Sequence, residues 1–303
     1  MTQDLMTKDL MTSSSVWHRE DRARPLHPHE SSSLVLLIAS SLLASCAQPP
    51  AESRTMSDVA MLDRLNTKVI IDNRANALPL IAHPLADAQS RVSSSAAALL
   101  ASSTGIELFS FFVACALPAD VTLLATINNA EFEFFGDLGL APQWRSGPLD
   151  LAGQRWVSAC VFARVNAYDL AVGLSGRGPS LGLAADDDER AAFSLEEGAF
   201  YGNLFVPLIQ PIQWFACRGR DEAAGQAGDL TNRDCADQDP AKPSLTLCGF
   251  VFTGDCGSFA AERACESFSS NGTYYRRCHT APTQNGQWQG DVFEQVITTF
   301  VRP

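Results

Sequence analysis

Residues 86–116 are rich in apolar and small side chains and predict helix in two pieces, with a break near Ser102 to Gly105. The second piece, IELFSFFVACA, is apolar on nearly every side, which indicates a helix buried against several neighbouring elements. It should end at Leu117, because the residue before a proline is pushed out of helical backbone space. We therefore expect a buried helix just ahead of residue 118.

A second buried helix is predicted to start at Asp150 and to run through LAGQRWVSACVFARV. Four of its side chains share one stripe at the spacing i, i+3, i+4 and i+7, namely Trp156, Ala159, Cys160 and Ala163. Cys160 therefore faces the core, and Cys115 lies near the end of the other buried helix. On this basis we pair Cys115 with Cys160.

Alternating apolar and polar residues predict a β-hairpin around Asn128-Asn129. The runs DVTLLAT and AEFEFF flank these asparagines, which tolerate the left-handed dihedral angles of a tight turn. In AEFEFF the glutamates alternate with phenylalanines, so this strand should have one wet face and one dry face. Strands are also expected over 166–175 and 181–185, and VFEQVITTFV (292–301) is predicted as the final strand.

Three further segments complete the local predictions. Ser57 is placed to cap a short helix over 58–66, whereas 67–84 has a looser pattern with prolines and is expected to be irregular. Ser194 and Glu197 have the spacing of a capping box, which predicts a short helix into Gly198. The aromatic residues of the following GAFYGNLF are expected in the core.

These elements predict an α+β fold in which buried helices pack on an antiparallel sheet. After about residue 211 the chain becomes rich in Gly, Asp, Asn and Cys, so disulfide bonds rather than a large core should hold this loop-rich C-terminal part. The expected organisation is a leader over 1–45, a tether over 46–57, an α+β domain over 58–210 and a cysteine-rich part over 211–303 packed on the same domain.

The leader contains the apolar run Leu34–Ser45 and ends at the sequence LASC. This run has 12 residues, whereas a membrane-spanning helix needs about 20, so it predicts the apolar region of a signal peptide. Leu43-Ala44-Ser45-Cys46 resembles the lipobox of bacterial lipoproteins, which implies cleavage before Cys46 and a lipid on its thiol. The alternative is an ordinary secretory signal that is cut nearby and leaves Cys46 as a free thiol.

The lipobox resemblance implies that the protein contacts the membrane through the lipid on Cys46. Ala47 follows the cysteine and resembles the default sorting signal for the outer membrane of Gram-negative bacteria. We therefore expect the protein in the bacterial cell envelope, attached to the outer membrane.

Cysteine parity agrees with export into an oxidising compartment. If Cys46 carries the lipid, eight cysteines remain, which is an even number. They are Cys115, Cys160, Cys217, Cys235, Cys248, Cys256, Cys265 and Cys278. Four disulfides are expected, and the six C-terminal cysteines allow 15 connectivities, among which the sequence makes no choice. Zinc is disfavoured because no C-x2-C pair occurs, and no metal or cofactor is predicted.

Charge narrows the range of partners. From Cys46 onward the chain has 18 Lys+Arg and 29 Asp+Glu, and its only lysines are Lys68 and Lys242. Such an acidic surface without a basic patch disfavours nucleic acid and anionic lipid headgroups as partners. An envelope protein or a glycan is the remaining class of partner.

Catalytic motifs are weak. Only His83 and His279 follow the leader, and GLSGRG (173–178) departs from the nucleophile-elbow pattern G-x-S-x-G because Arg177 replaces the last glycine. A triad of Ser175, His279 and an aspartate is one hypothesis, but a turn serine and a solvated histidine beside a disulfide are favoured. We assign no catalytic residue.

Two acidic clusters raise a calcium hypothesis, because Ca²⁺ prefers oxygen ligands. One is Asp186, Asp187, Asp188 and Glu189, and the other is Asp234, Asp237 and Asp239. Neither cluster has the spacing of an EF-hand loop. Solvated acidic loops are therefore the favoured interpretation, and no metal ligand is assigned.

Several blocks together resemble a group of uncharacterised, cysteine-rich exported proteins and lipoproteins of myxobacteria. These blocks are CALPADVTLLAT, FFGDLGLAPQW, QRWVSACVFARVNAY and EEGAFYGNLF, and the resemblance covers roughly residues 66–300. It implies export and disulfide bonds but transfers no catalytic residue. The chain lacks the asparagine-glycine repeats that often precede the domain in that group.

The sequence as a whole predicts a lipid-anchored cell-envelope protein that acts as a binding or structural component. The alternative is an exported hydrolase with an unrecognised active site. A concave pocket that brings a carboxylate pair or His279 to a nucleophile would favour the hydrolase, whereas an exposed patch or groove would favour binding.

Overall fold

Ten strands and five α-helices make up the described part of the chain, which a computed structural model defines over residues 61–63, 65–257, 259–266, 268–269 and 273–303. The strands are β1 (Met61–Asp63), β2 (Thr122–Ile127), β3 (Ala130–Phe135), β4 (Val172–Arg177), β5 (Leu195–Asn203), β6 (Gln213–Arg218), β7 (Val251–Asp255), β8 (Cys278–Gln284), β9 (Gln287–Phe293) and β10 (Val296–Val301). The helices are α1 (Thr67–Ala77), α2 (Ser103–Ala116), α3 (Leu151–Ala163), α4 (Asp187–Ala192) and α5 (Arg220–Ala223).

Six strands form the central sheet in the order β1–β4–β10–β5–β6–β7. Neighbouring strands are antiparallel except β6 and β7, which are parallel. Strands β2 and β3 form one separate hairpin, and β8 and β9 form another. The predicted α+β class with buried helices on a largely antiparallel sheet is confirmed.

The central strands alternate between two cores because successive side chains of a strand point to opposite faces. Phe200, Ala216 and Ile297 belong to the large core that the helices share, and we call their side of the sheet the helix face. Tyr201 and Cys217 belong to a smaller core with two disulfides, and we call that side the disulfide face.

The helices cover the helix face in successive layers. Helix α3 packs on β5 and β10, α2 packs on α3, and α1 packs on α2. Trp144 fills the same core, fully buried, and its indole N–H donates to the carbonyls of Leu80 and His83. Most of the buried apolar residues between 65 and 210 belong to this core.

Several local predictions are confirmed. Helix α2 begins after Ser102, whose hydroxyl accepts from the Gly105 N–H, and it ends before Leu117. Asp150 caps α3 in the same way, with Oδ1 2.7 Å from the Gly153 nitrogen. The β2–β3 hairpin turns at Asn128 and Asn129, which have φ of 50° and 64°. β10 lies within the predicted final strand 292–301.

The predictions for 58–84 are wrong where the structure describes these residues. Met61–Asp63 is a strand rather than part of a helix, and 67–77 is helix rather than irregular chain. The predicted cap Ser57 lies outside the described residues. Helix α1 escaped detection because its buried side includes Asn73 and Arg74, so no clean apolar stripe marks it.

Three other boundaries are corrected. The first predicted helical piece of 86–116 contains turns, isolated β-bridges at Ala86, Arg91 and Val92, and a short 3₁₀ segment at Ser94–Ala96. The strand expected over 166–175 begins only at Val172 and runs to Arg177. The strand expected over 181–185 is a 3₁₀ turn at Leu181–Leu183, where small residues supply too little apolar alternation to extend a sheet.

The capping-box prediction at Ser194 and Glu197 is also wrong, since both adjoin or lie within β5. Glu197 is the extra residue of a β-bulge, because Thr299 of β10 pairs with Gly198 and Phe300 pairs with Glu196. Its carboxylate binds buried Arg233 at 2.7 Å instead of capping a helix. A long-range ion pair has overridden a local helix signal.

All eight cysteines of the described residues form disulfides, as cysteine parity predicted. The bonds are Cys115–Cys160, Cys217–Cys256, Cys235–Cys248 and Cys265–Cys278. The first joins α2 to α3 and is the pair that the helix patterns proposed. The second and fourth contact each other, with the sulfurs of Cys217 and Cys265 3.4 Å apart.

Candidate functional site

An acidic cleft of about 290 Å³ lies beside α5 and is lined by three carboxylate side chains. Glu222 reaches it from α5, and Asp234 and Asp237 reach it from the loop that follows. The Cys235–Cys248 bond fixes this loop, since Cys235 is fully buried between the two aspartates. The cleft is therefore a built feature.

Hydrogen bonds orient the two aspartates. The Tyr168 hydroxyl donates to the Asp234 carboxylate, and this bond raises the pKa of Tyr168 to about 12. Asp237 accepts from the Gln238 N–H at 2.8 Å and lies 3.6 Å from the Arg218 guanidinium. Both aspartates thus have fixed positions next to Glu222.

Glu222 has the most unusual electrostatics of the group. Burial, with the nearby carboxylates of Glu197, Asp234 and Asp237, raises the pKa of Glu222 to about 9. Its Oε2 atom is buried and has no hydrogen-bond partner. A protonated carboxyl group beside ionised carboxylates can donate a proton near neutral pH.

The second predicted acidic cluster is therefore only partly assembled. Asp234 and Asp237 line the cleft, whereas Asp239 accepts from the Ala241 N–H at 2.8 Å within its own turn. No group of three or more carboxylates with oxygens within 4.8 Å of one another is found among the described residues. The geometry gives the calcium hypothesis no ligand set here.

The first predicted acidic cluster stabilises a helix. Asp186 caps α4 by accepting from the Glu189 N–H at 2.8 Å, and Asp187 pairs with Arg190. Asp188 is exposed, while burial raises the pKa of Glu189. Acidic residues in the first turn of a helix interact favourably with its dipole.

The hypothetical triad is not assembled. Ser175 is fully buried, and Arg177 Nε donates to its hydroxyl at 2.9 Å. His279 instead stacks on Trp288 with ring centroids 4.5 Å apart, and its Nε2 lies 3.5 Å from Glu266. His279 is buried rather than solvated, so that part of the interpretation is wrong. The other histidine, His83, contributes a backbone carbonyl to the Trp144 indole.

Sulfur atoms provide the one group of three or more potential metal ligands among the described residues. Cys217, Cys265 and Cys278 lie within 4.8 Å of one another, but each is held in a disulfide. Zinc binds thiolates, so these bonded sulfurs are not ligands in this state. The group is part of the core of the disulfide face.

Sequence reasoning missed Tyr168 and Glu222. Tyr168 is 54 residues ahead of Glu222, and Asp234 follows 12 residues later. No local spacing marks such a group, because only the fold brings α5 to the loop after Asn166. The raised pKa of Glu222 also depends on burial, which the polar sequence RDEAAGQ does not indicate.

Comparisons with known proteins add no assignment, since no protein-family profile, curated protein or solved structure matches this chain. In the described part of the chain, no helix has both the length and the apolar character needed to cross a membrane. Function is therefore inferred from the residues of this chain.

Proposed function

We propose that this chain is a lipid-anchored cell-envelope protein, attached to the outer membrane, which acts as a binding or structural component. One observation carries the proposal: the eight cysteines of the described residues pair with one another in four disulfides. Cys46 consequently has no partner left within the chain, and it follows an apolar run in the sequence LASC. A lipidated cysteine accounts for both facts.

The four disulfides support export. Each disulfide contributes about 2–4 kcal/mol, and such bonds persist in oxidising compartments. The strongly acidic composition supports a role away from nucleic acid. An envelope protein or a glycan is the partner class that this proposal leaves for the domain.

Membrane fractionation of a bacterial host tests the anchor. We expect the wild-type chain to stay in the membrane fraction after a carbonate wash, which removes peripherally bound protein, and the Cys46→Ala variant to be released by that wash. The matched control is Cys115→Ala/Cys160→Ala, which also loses cysteines but keeps the lipid site and should remain with the membrane. Equal fractionation of wild type and Cys46→Ala would reject the anchor.

The acidic cleft favours a second candidate function, an exported hydrolase. A carboxyl group with a raised pKa at Glu222, next to the carboxyl groups of Asp234 and Asp237, is the kind of arrangement that acid-catalysed hydrolysis of glycosides uses. In a panel of chromogenic glycosides, this candidate predicts that Glu222→Gln abolishes any activity found. Glu294→Gln, at a side chain that is 69% exposed, should leave it unchanged. Absence of activity in the wild type would remove the candidate.

A further inference from the structure

A tight turn after β5 presents two apolar side chains to solvent. The Gln210 N–H donates to the Pro207 carbonyl at 2.9 Å, so Leu208 and Ile209 occupy the two central positions of the turn. Leu208 is 57% exposed and Ile209 is 94% exposed. We call Leu208 and Ile209 the apolar tip. Because these two side chains are exposed to water rather than buried, they do not stabilise the domain.

Arg74 of α1 holds the backbone of this turn in place. It is 8% exposed, and its guanidinium donates five hydrogen bonds to main-chain carbonyls. The acceptors are the carbonyls of Leu204, Val206, Pro207 and Gln210, at 2.6 to 3.1 Å. A buried cation thus fixes the backbone of a loop that exposes the side chains of Leu208 and Ile209. Preorganisation of this kind lowers the entropy cost of binding.

The segment of the chain that carries the apolar tip has no charged side chain of its own. The sequence from 198 to 217 contains no Asp, Glu, Lys or Arg, although the chain as a whole is 18% charged. Ile71 lies one helical turn before Arg74, on the same side of α1, and is 53% exposed. The helix whose Arg74 binds the turn thus exposes an apolar side chain of its own.

We propose that the apolar tip inserts into the surface of the lipid bilayer to which the protein is anchored. The location of that bilayer rests on the proposed function, whereas the affinity of the tip for lipid does not. Protein partners usually meet flat patches with aromatic and arginine anchors and polar rims, and a two-residue protrusion without charges offers none of these. An apolar protrusion of this size matches the interfacial layer of a membrane, where apolar side chains leave water.

The tether makes this contact reachable. Residues 47–60 separate Cys46 from β1, and such a chain extends to about 50 Å at most. Helix α1 begins shortly after β1 and carries both Ile71 and Arg74. A lipid on Cys46 would therefore keep the turn that Arg74 binds within reach of the same bilayer. Two weak membrane contacts on one chain strengthen each other.

Vesicle binding of the unlipidated chain tests the apolar tip separately from the anchor. The probe is residues 46–303 with Cys46→Ala, which contain the whole compact unit Ser53–Pro303, mixed with neutral phosphatidylcholine vesicles. We expect measurable co-sedimentation, and the Leu208→Ser/Ile209→Ser variant should bind about tenfold more weakly because it loses apolar transfer energy. Leu181→Ser is the matched control, since Leu181 is 95% exposed elsewhere on the surface, and it should bind as the parent does.

Depth-dependent quenching gives a second, residue-specific readout. The parent contains four tryptophans after Cys46, so quenching by brominated lipid is measured relative to the reconstituted parent. Ile209→Trp in the membrane-extracted chain should add a quenched component, whereas Leu181→Trp should add none. Equal vesicle binding by the parent and the tip variant, or equal quenching at 209 and 181, would overturn the proposal. Loss of self-association or of a protein complex in the tip variant, with vesicle binding unchanged, would overturn it in favour of a protein partner. Failure of Cys46 lipidation leaves the vesicle result standing, so the two proposals fail separately.

Discussion

The two faces of the central sheet are stabilised in different ways. The helix face is covered by three helices and a large core of aliphatic and aromatic side chains, in which Phe200 meets Phe250 at a centroid distance of 5.6 Å. The disulfide face has a small core, and four of the ten buried apolar residues described in it are bonded cysteines. Its cover consists of the β8–β9 hairpin and irregular chain at residues 259–266 and 273–277.

This difference shows why a change in composition need not mark a domain boundary. Residues after 211 supply β6, β7 and β10, and β10 lies between β4 and β5 in the sheet. The cysteine-rich part therefore builds the shared sheet and covers its second face. Where local chain cannot bury enough apolar area, covalent bonds replace the missing core.

Glu196 and Glu197 are neighbours in the sequence that contact opposite faces of the sheet. Of the changes considered, substitution of Glu197 should lower the stability most. Glu197 pairs with Arg233, and both side chains are fully buried beside Phe200. Glu197→Gln leaves the Arg233 charge uncompensated, which should lower the free energy of unfolding by about 3–5 kcal/mol. Denaturant unfolding measures this loss. A change below 1 kcal/mol would show that the pair does not support the helix face.

Removal of a bond from the disulfide face should have a smaller but more local effect. Cys265→Ala/Cys278→Ala should cost about 2–4 kcal/mol and expose residues 256–278 to limited proteolysis, because little other packing holds them. The control Cys115→Ala/Cys160→Ala removes a bond from the large core, so it should leave that segment resistant to protease. Equal cleavage in both variants would break the distinction between the faces.

Substitution of Glu196 should change the stability least, and the size of the change should depend on pH. Its carboxylate accepts from the Tyr275 hydroxyl at 2.9 Å, while burial raises its pKa. The unfolded chain therefore releases this proton at a lower pH than the folded chain does. Stability should fall as pH rises above the ordinary glutamate range, by at most about 1.4 kcal/mol for each pH unit, until the folded pKa is passed.

Glu196→Gln should make this slope shallower, which thermal unfolding at several pH values between 4 and 8 would measure. Glu189 and Glu222, whose pKa values are also raised, should maintain the remaining slope. Glu262→Gln is the control for loss of an acidic charge. An unchanged pH slope in Glu196→Gln would show that the carboxyl group is already ionised in the folded protein.

Local signals predicted the elements whose stability is local. Helices α2 and α3 combine a capping side chain with an apolar stripe, and the Asn128-Asn129 turn requires no distant partner. Helix α1 was missed because Arg74 is buried to bind carbonyls of a loop about 130 residues away. Strand β5 was missed because Arg233 recruits Glu197.

The candidate site was predictable only in part, for the same reason. Asp234 and Asp237 stand out in the sequence, but their neighbours Tyr168 and Glu222 reach them through the fold. The apolar tip was also missed, since GAFYGNLF and the residues after it are apolar and therefore indicate a core. Exposure of Ile209 is a property of the turn, which the composition of the segment does not reveal.

The intact mass of the membrane-extracted protein, with and without reductant, tests whether the chain has a lipid on Cys46 and four disulfides. The account predicts an acylated chain that begins at Cys46, with eight thiols that react only after reduction. A chain that begins elsewhere without a lipid, or a native protein with free thiols, would contradict it.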